Sequence, residues 1–439
     1  MTYFESLYIL WREYMKRFLI FAMMLLLAGF LSAAGKTDST QKTNIRYFTW
    51  TQEQEPGDRI TLGEFQKENP NISVDLQILP WDQYWQKIQT EIAGSATADV
   101  FMNQTWYFKT LQAAKSAEPL DAYIARDNID MSKHNQRVVQ IYTDNGKLYA
   151  MPQDWDCICI VYNKDLFDKY GVPYPDDKLD WNPVDGGSFI KLAQRMTRDS
   201  NGNDATSPNF NPDNAVSWGY LIMNSNNQCY WNFIRMNGGD ILDFANPKTV
   251  EAVQFLQDIM YKYHVAPAYS TVQAPVGFNT GTIAMYTDGN WDLNPLFDTC
   301  NFNWGVTVLP KGPNGTRSTI VNGIGQSIYS QGKNKEAAWQ LVKWFGSDKN
   351  QKILASTGTV FTSLDFWQDF IGYWNNKGRD ISAFLTMFKT SDTYIAPMVP
   401  NWNEKNDSIT KNLDLVFMNK QSAKQAGDNI KADFAKIGN

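Results

Sequence analysis

The sequence predicts an α/β protein in two lobes, with largely parallel sheets flanked by helices, and three observations predict it. The chain has 439 residues, too many for a single hydrophobic core. Its composition, 43 % apolar and 20 % charged, is that of an ordinary globular protein. From residue 45 onward, strand and helix patterns alternate, the signature of a sheet covered by helices on both faces.

The elements follow in order. Phe18 to Leu31 is an apolar run behind Lys16-Arg17 and ahead of Ser32-Ala33-Ala34, which reads as a secretory signal peptide over 1–34, with Met15 as the start. No cysteine follows it for lipid attachment. A polar linker, 35–43, leads to a strand at Ile45–Trp50 and a helix at Arg59–Glu68, ended by Asn69-Pro70. Ile72 to Ile78 alternates strictly and predicts a strand. Pro80-Trp81-Asp82 opens a helix with Trp85, Ile88 and Ile92 inward, and Thr97–Met102 is a short strand. Ala150–Phe167 is a strand introduced by Asp154-Trp155-Asp156 and closed by framework residues. Ser188–Thr197 is a helix, and Asn246-Pro247 caps another. Gly281–Tyr286 and Trp304–Leu309 are strands, Lys335–Phe345 a helix, and the remainder helices with polar loops.

Charge and composition exclude several functions. The net charge is −6 without a basic stripe, so nothing marks a nucleic-acid partner. The two histidines, His134 and His264, lie near no cysteine cluster, and no metal or cofactor motif stands out. Asp199 to Asp204 begins like a calcium loop, but glycine falls at the fourth position and Phe210 where the bidentate glutamate belongs, so an Asx turn is expected. Export permits disulfides, yet spacing does not choose among Cys157, Cys159, Cys229 and Cys300.

Five phrases in order carry a resemblance: Gly146 to Pro152 (GKLYAMP), Tyr162 to Phe167 (YNKDLF), Gly281 to Met285 (GTIAM), Val308 to Pro313 (VLPKGP) and Lys335 to Trp339 (KEAAW). Together they resemble the family 1 extracellular solute-binding proteins of ABC importers, relatives of maltose-binding protein. The resemblance implies two α/β lobes with a ligand cleft between them. It also implies a carbohydrate ligand, membrane permease subunits as partners, a monomer, and a place in the periplasm or on the cell surface. By analogy lobe 1 is 44–143 with 281–327, and lobe 2 is 144–280 with 328–439. The residues after Gly358 lack the family's usual proline, and Trp181–Gly187 is longer than usual.

A sugar offers flat C–H faces that suit aromatic rings and a hydroxyl rim that suits Asp, Asn and Gln. The chain holds 16 Trp and 21 Tyr, and many stand beside such residues. The candidates are Trp50 and Gln52; Trp81; Asn103 and Trp106, flanked by Gln104 and Tyr107; Asp154 and Trp155; Trp231, preceded by Asn226-Asn227-Gln228; Asp288 and Trp291; and Trp402. Asp154 is preferred to Asp156, which is assigned a salt bridge or a cap. The Asp-Trp-Asp triplet is expected to face ligand, whereas Trp85, Trp304, Trp339 and Trp344 are assigned to the core. A cationic solute would also suit Asp beside Trp. A glycosidase would need two carboxylates on opposite sides of a bond, which neighbours on one strand do not provide.

Overall fold

Two long strands lay out the protein. Its computed structural model describes residues 42–50, 54–269 and 277–438, so the signal-peptide reading and Gln52 fall outside the described residues. Asn44–Asn439 form one compact unit. The described strands are β1 (Thr43–Thr49), β2 (Ile72–Ile78), β3 (Val100–Gln104), β4 (Thr143–Asp144), β5 (Lys147–Leu148), β6 (Met151–Asn163), β7 (Arg198–Asp199), β8 (Ala215–Ser217), β9 (Met285–Gly289), β10 (Trp304–Thr307), β11 (Ser318–Ile328) and β12 (Asp392–Tyr394). β6 and β11 are the long pair, and both are buried along their whole length. They are antiparallel, Val321 opposite Cys157 and Gln326 opposite Met151, with a one-residue shift at Ile324/Gly325 that leaves Gln153 over.

Each long strand serves two halves of the protein. The last residues of β11, Ile324–Ile328, pair antiparallel with β3, which pairs parallel with β1; β2 completes that edge. The first residues of β11, Ser318–Ile320, pair parallel with β12. The second half of β6 pairs antiparallel with β9 and with β10. The sheet is therefore mixed where a largely parallel one was expected, because β6 runs against all three of its neighbours and β11 against β3 and β6. β9 and β10, within 281–327, pair with β6 and not with β1–β3.

Local chemistry accounts for the element ends. Asn246 caps the helix Pro247–Tyr261, its side chain accepting from the N–H groups of Lys248 and Thr249. Helix Lys335–Phe345 lies where its periodicity places it, with Ala338, Leu341, Val342 and Phe345 buried. The strand expected at Gly281–Tyr286 instead starts at Met285. Asp199 accepts from the backbone of Asn201, Asn203 and Asn211, so its carboxylate closes its own loop. All four cysteines are free thiols, three of them buried.

Candidate functional site

A cavity of about 580 Å³ falls within the range of about 300–1,000 Å³ usual for small-molecule sites. It lies against the paired long strands: β11 lends it Asn322 and Ile324, and β6 lends Asp156.

One wall is aromatic. Trp50 follows β1, and Trp81 starts the helix Trp81–Ala93 behind the Pro80 N-cap. Their rings meet edge to face at 5.1 Å, and Trp81 continues to Trp106, just past β3, at 5.9 Å. Tyr107 stacks on Trp85 with centroids 3.6 Å apart. Such pairs add to simple burial and hold the rings in register.

Another part of the lining is polar. Ser225 caps a single π-turn, Asn226–Tyr230. That turn places Asn226, Asn227, Gln228 and Tyr230 on the cavity, with Asn224 just before it. Helix Trp402–Phe417 adds Trp402, Asn406 and Thr410, a spacing of four that puts all three on one face. The two elements are tied together: Asn226 donates to Asn406 at 3.3 Å, and Asn224 to Asp414 at 2.7 Å. Trp291 and Asp292 close the rim.

Trp291 lies flat against Gly289, where an added Cβ would sit inside the indole. Gly289→Ala is therefore expected to displace the ring and cost about 1–3 kcal/mol of stability, together with a loss of ligand affinity. An unchanged melting temperature and affinity would show that the ring does not depend on this contact.

Trp50, Trp81, Trp106, Trp291 and Trp402 thus come together, as five of the candidates, around one cavity. The other described candidates do not line it. The reason for Trp155 is strand periodicity: the triplet lies inside β6, not ahead of it, so Trp155 points to the face opposite Asp154 and Asp156. Trp155 is fully buried in the core, 3.9 Å from Phe388 and 5.2 Å from Trp367. Asp154 is turned to the backbone of β11, accepting from the Ile324 N–H at 3.0 Å. Asp156, not Asp154, reaches the cavity, where it accepts from Asn322 Nδ2 at 2.7 Å.

The same alternation sends Asn103 to Ser327 of β11 and leaves Gln104 on the cavity. Asp288 stands one layer back, accepting from Gln228 and from the Tyr286 hydroxyl. Trp231 is buried behind both walls, 6.1 Å from Trp106 and 5.6 Å from Trp402. Sequence reasoning missed Gln54, Asn224, Ser225, Asn322, Asn406 and Thr410. The Trp402-Asn406-Thr410 spacing was the signal for the last two.

The electrostatics are one-sided. Burial pushes the Asp156 carboxyl up to about 7, against the donors of Asn322 that hold it down. Burial also raises Asp288. Among the described residues, no lysine, arginine or histidine lines the cavity.

These features can be set against known proteins. The profile of the bacterial extracellular solute-binding protein family matches residues 50–352. The chain belongs to that family. A binding protein of Brucella abortus is 24 % identical to this solute-binding protein over 368 residues, 81 % of this chain and 83 % of that one. The galactooligosaccharide-binding protein of Bacillus subtilis is 25 % identical over 239 residues, about half of each chain. Among solved structures, the ABC substrate-binding protein Lmo0181 from Listeria monocytogenes, in complex with cycloalternan, superposes with a TM-score of 0.79 at 24 % identity, covering 90 % of this chain and 98 % of that one. Its two-lobed α/β architecture is that of this protein. No helix among the described residues is long and apolar enough to cross a membrane.

Proposed function

We propose that this solute-binding protein captures a carbohydrate, an oligosaccharide, as the substrate-binding component of an ABC importer. It would work as a monomer outside the cytoplasmic membrane, in the periplasm or on the cell surface, and deliver its cargo to membrane permease subunits. The observation that carries this reading is the pairing of walls in one cavity: indoles of Trp50, Trp81 and Trp106 with an amide-rich run from Asn224 to Gln228. Aromatic faces bury the apolar faces of a sugar ring, and amides that both donate and accept match its hydroxyls. The galactooligosaccharide-binding relative supports the same reading.

The reading implies a mechanism of lobe closure. We place the moving lobes on either side of the β6–β11 pair, with β1–β3 in one and β9, β10 and β12 in the other. Ligand touching both walls favours the closed arrangement by its differential affinity. Catalysis has no comparable support, because Asp154 and Asp156 do not both face the cavity.

A thermal-shift panel tests the reading, with malto-, xylo-, cello-, galacto- and manno-oligosaccharides, and with spermidine and betaine as controls. A ligand at about 100 times its dissociation constant adds about 2.7 kcal/mol, a rise of a few degrees in melting temperature. A rise with one sugar series is the expected result. A rise with only the cationic controls would replace the carbohydrate reading by that of a cationic solute.

A further inference from the structure

The cavity carries a charge imbalance that a neutral sugar does not resolve. Asp156 is 6 % exposed and lines the cavity. Its hydrogen bonds come from the side chain and backbone of Asn322, both uncharged. Asn322 is itself 3 % exposed, and its Oδ1 has no hydrogen-bond partner among the described residues. A second carboxylate, Asp292, lines the rim, and Asp288 is buried directly behind Gln228. On the aromatic side, burial and then the charges of Asp82 and Asp407 push the Tyr107 phenol up, so negative charge stands near that wall as well. The cationic side chains are absent from the lining among the described residues. A desolvated carboxylate such as Asp156 is costly without a counter-ion, and the indole faces that line the same cavity also attract cations.

We propose that the ligand is an amino-saccharide, a carbohydrate whose protonated amine pairs with Asp156 and donates to the open oxygen of Asn322. The inference rests on the carbohydrate reading and narrows it. Ammonium and carboxylate form a charge-assisted hydrogen bond inside a poorly solvated cavity, while the remaining hydroxyls meet Gln104, Asn224 to Gln228 and Asn406. An N-acetylated sugar loses the charge and with it this pairing.

The test titrates the full chain calorimetrically at pH 7, where the Asp156 carboxyl is partly ionised, with matched sets: glucosamine, glucose and N-acetylglucosamine; the galactose and mannose counterparts; and chitosan, cello- and N-acetylchito-oligosaccharides. The expected result is that in at least one set the amine binds about tenfold more tightly than both neutral members, the scale of one buried charge pair. Asp156→Asn should then lower affinity for the amine about tenfold more than affinity for its hydroxyl partner. Comparison of the amine with its N-acetyl form needs no variant, so it decides the matter even if Asp156→Asn does not fold. Equal or tighter binding of the neutral member in every set would overturn the amine and leave the carbohydrate reading standing. An amine preference that survives Asp156→Asn would overturn the pairing with Asp156. Binding of spermidine or betaine without any saccharide, or of no probe at all, would overturn both readings.

Discussion

Asp156→Asn is expected to stabilise the protein at pH 8 by up to ~4 kcal/mol and to leave its stability near pH 4 almost unchanged. Burial lifts this carboxyl from its ordinary value near 4 to about 7. The gap of about three pH units corresponds to ~4 kcal/mol, at about 1.4 kcal/mol per unit. The folded protein then holds the proton more tightly than the unfolded chain does. Stability therefore falls as pH rises from about 4 to about 7, and the whole cost is present above 7. His134 acts in the opposite sense: burial pushes it down to about 4, so its contribution is lost as pH falls from about 6.5 to about 4. The wild-type curve sums both effects, and only the difference between wild type and variant isolates Asp156. Melting temperatures of the two proteins at pH 4.5 and pH 8 measure it. A difference that is the same at both pH values would show that Asp156 is not held at a raised pKa.

Trp231→Ala should cost about 3–5 kcal/mol, the usual range for deleting a buried indole, and should also lower ligand affinity. Trp231 touches no part of the cavity, yet it backs Trp106 at 6.1 Å and Trp402 at 5.6 Å. Trp106 follows β3, which pairs with the end of β11. Trp231 begins a helix whose Asn232 accepts from the Ile320 N–H near the start of β11. One buried ring therefore supports cavity walls from both halves. Trp231→Phe separates the two effects: most of the stability should return, while affinity stays about tenfold down because a smaller ring no longer reaches both neighbours, a loss of about 1.4 kcal/mol. Wild-type affinity in Trp231→Phe would show that the two walls stand without this support.

How much of this was legible in the residues follows from range. Short-range signals were read correctly: Ile72–Ile78 and Lys335–Phe345 have the expected limits, and Asn246 caps its helix. The ordered phrases from Gly146 to Trp339 pointed to the family that the profile match then established. For the site, flanking polar residues identified Trp106 and Trp291, which line the cavity. The same signal named Trp155 and Asp288, which do not line it. A Trp beside an Asp looks alike whether it faces a cleft or a core; only the phase of the strand tells them apart. The phase of β6 is set by its pairing with β11, more than 150 residues away in the chain.

By itself, then, the sequence determined the class, the family and the places where secondary structure starts and stops, because propensity, capping and periodicity act within a few residues. The tertiary structure alone decided which carboxylate of Asp154 and Asp156 meets the cavity. It also decided that Asn322 partners Asp156, and that Trp402, Asn406 and Thr410 face the turn Asn226–Tyr230. Each of these depends on how β6, β11 and the late helix are brought together, and hydrogen-bond register between distant segments is written in no local pattern.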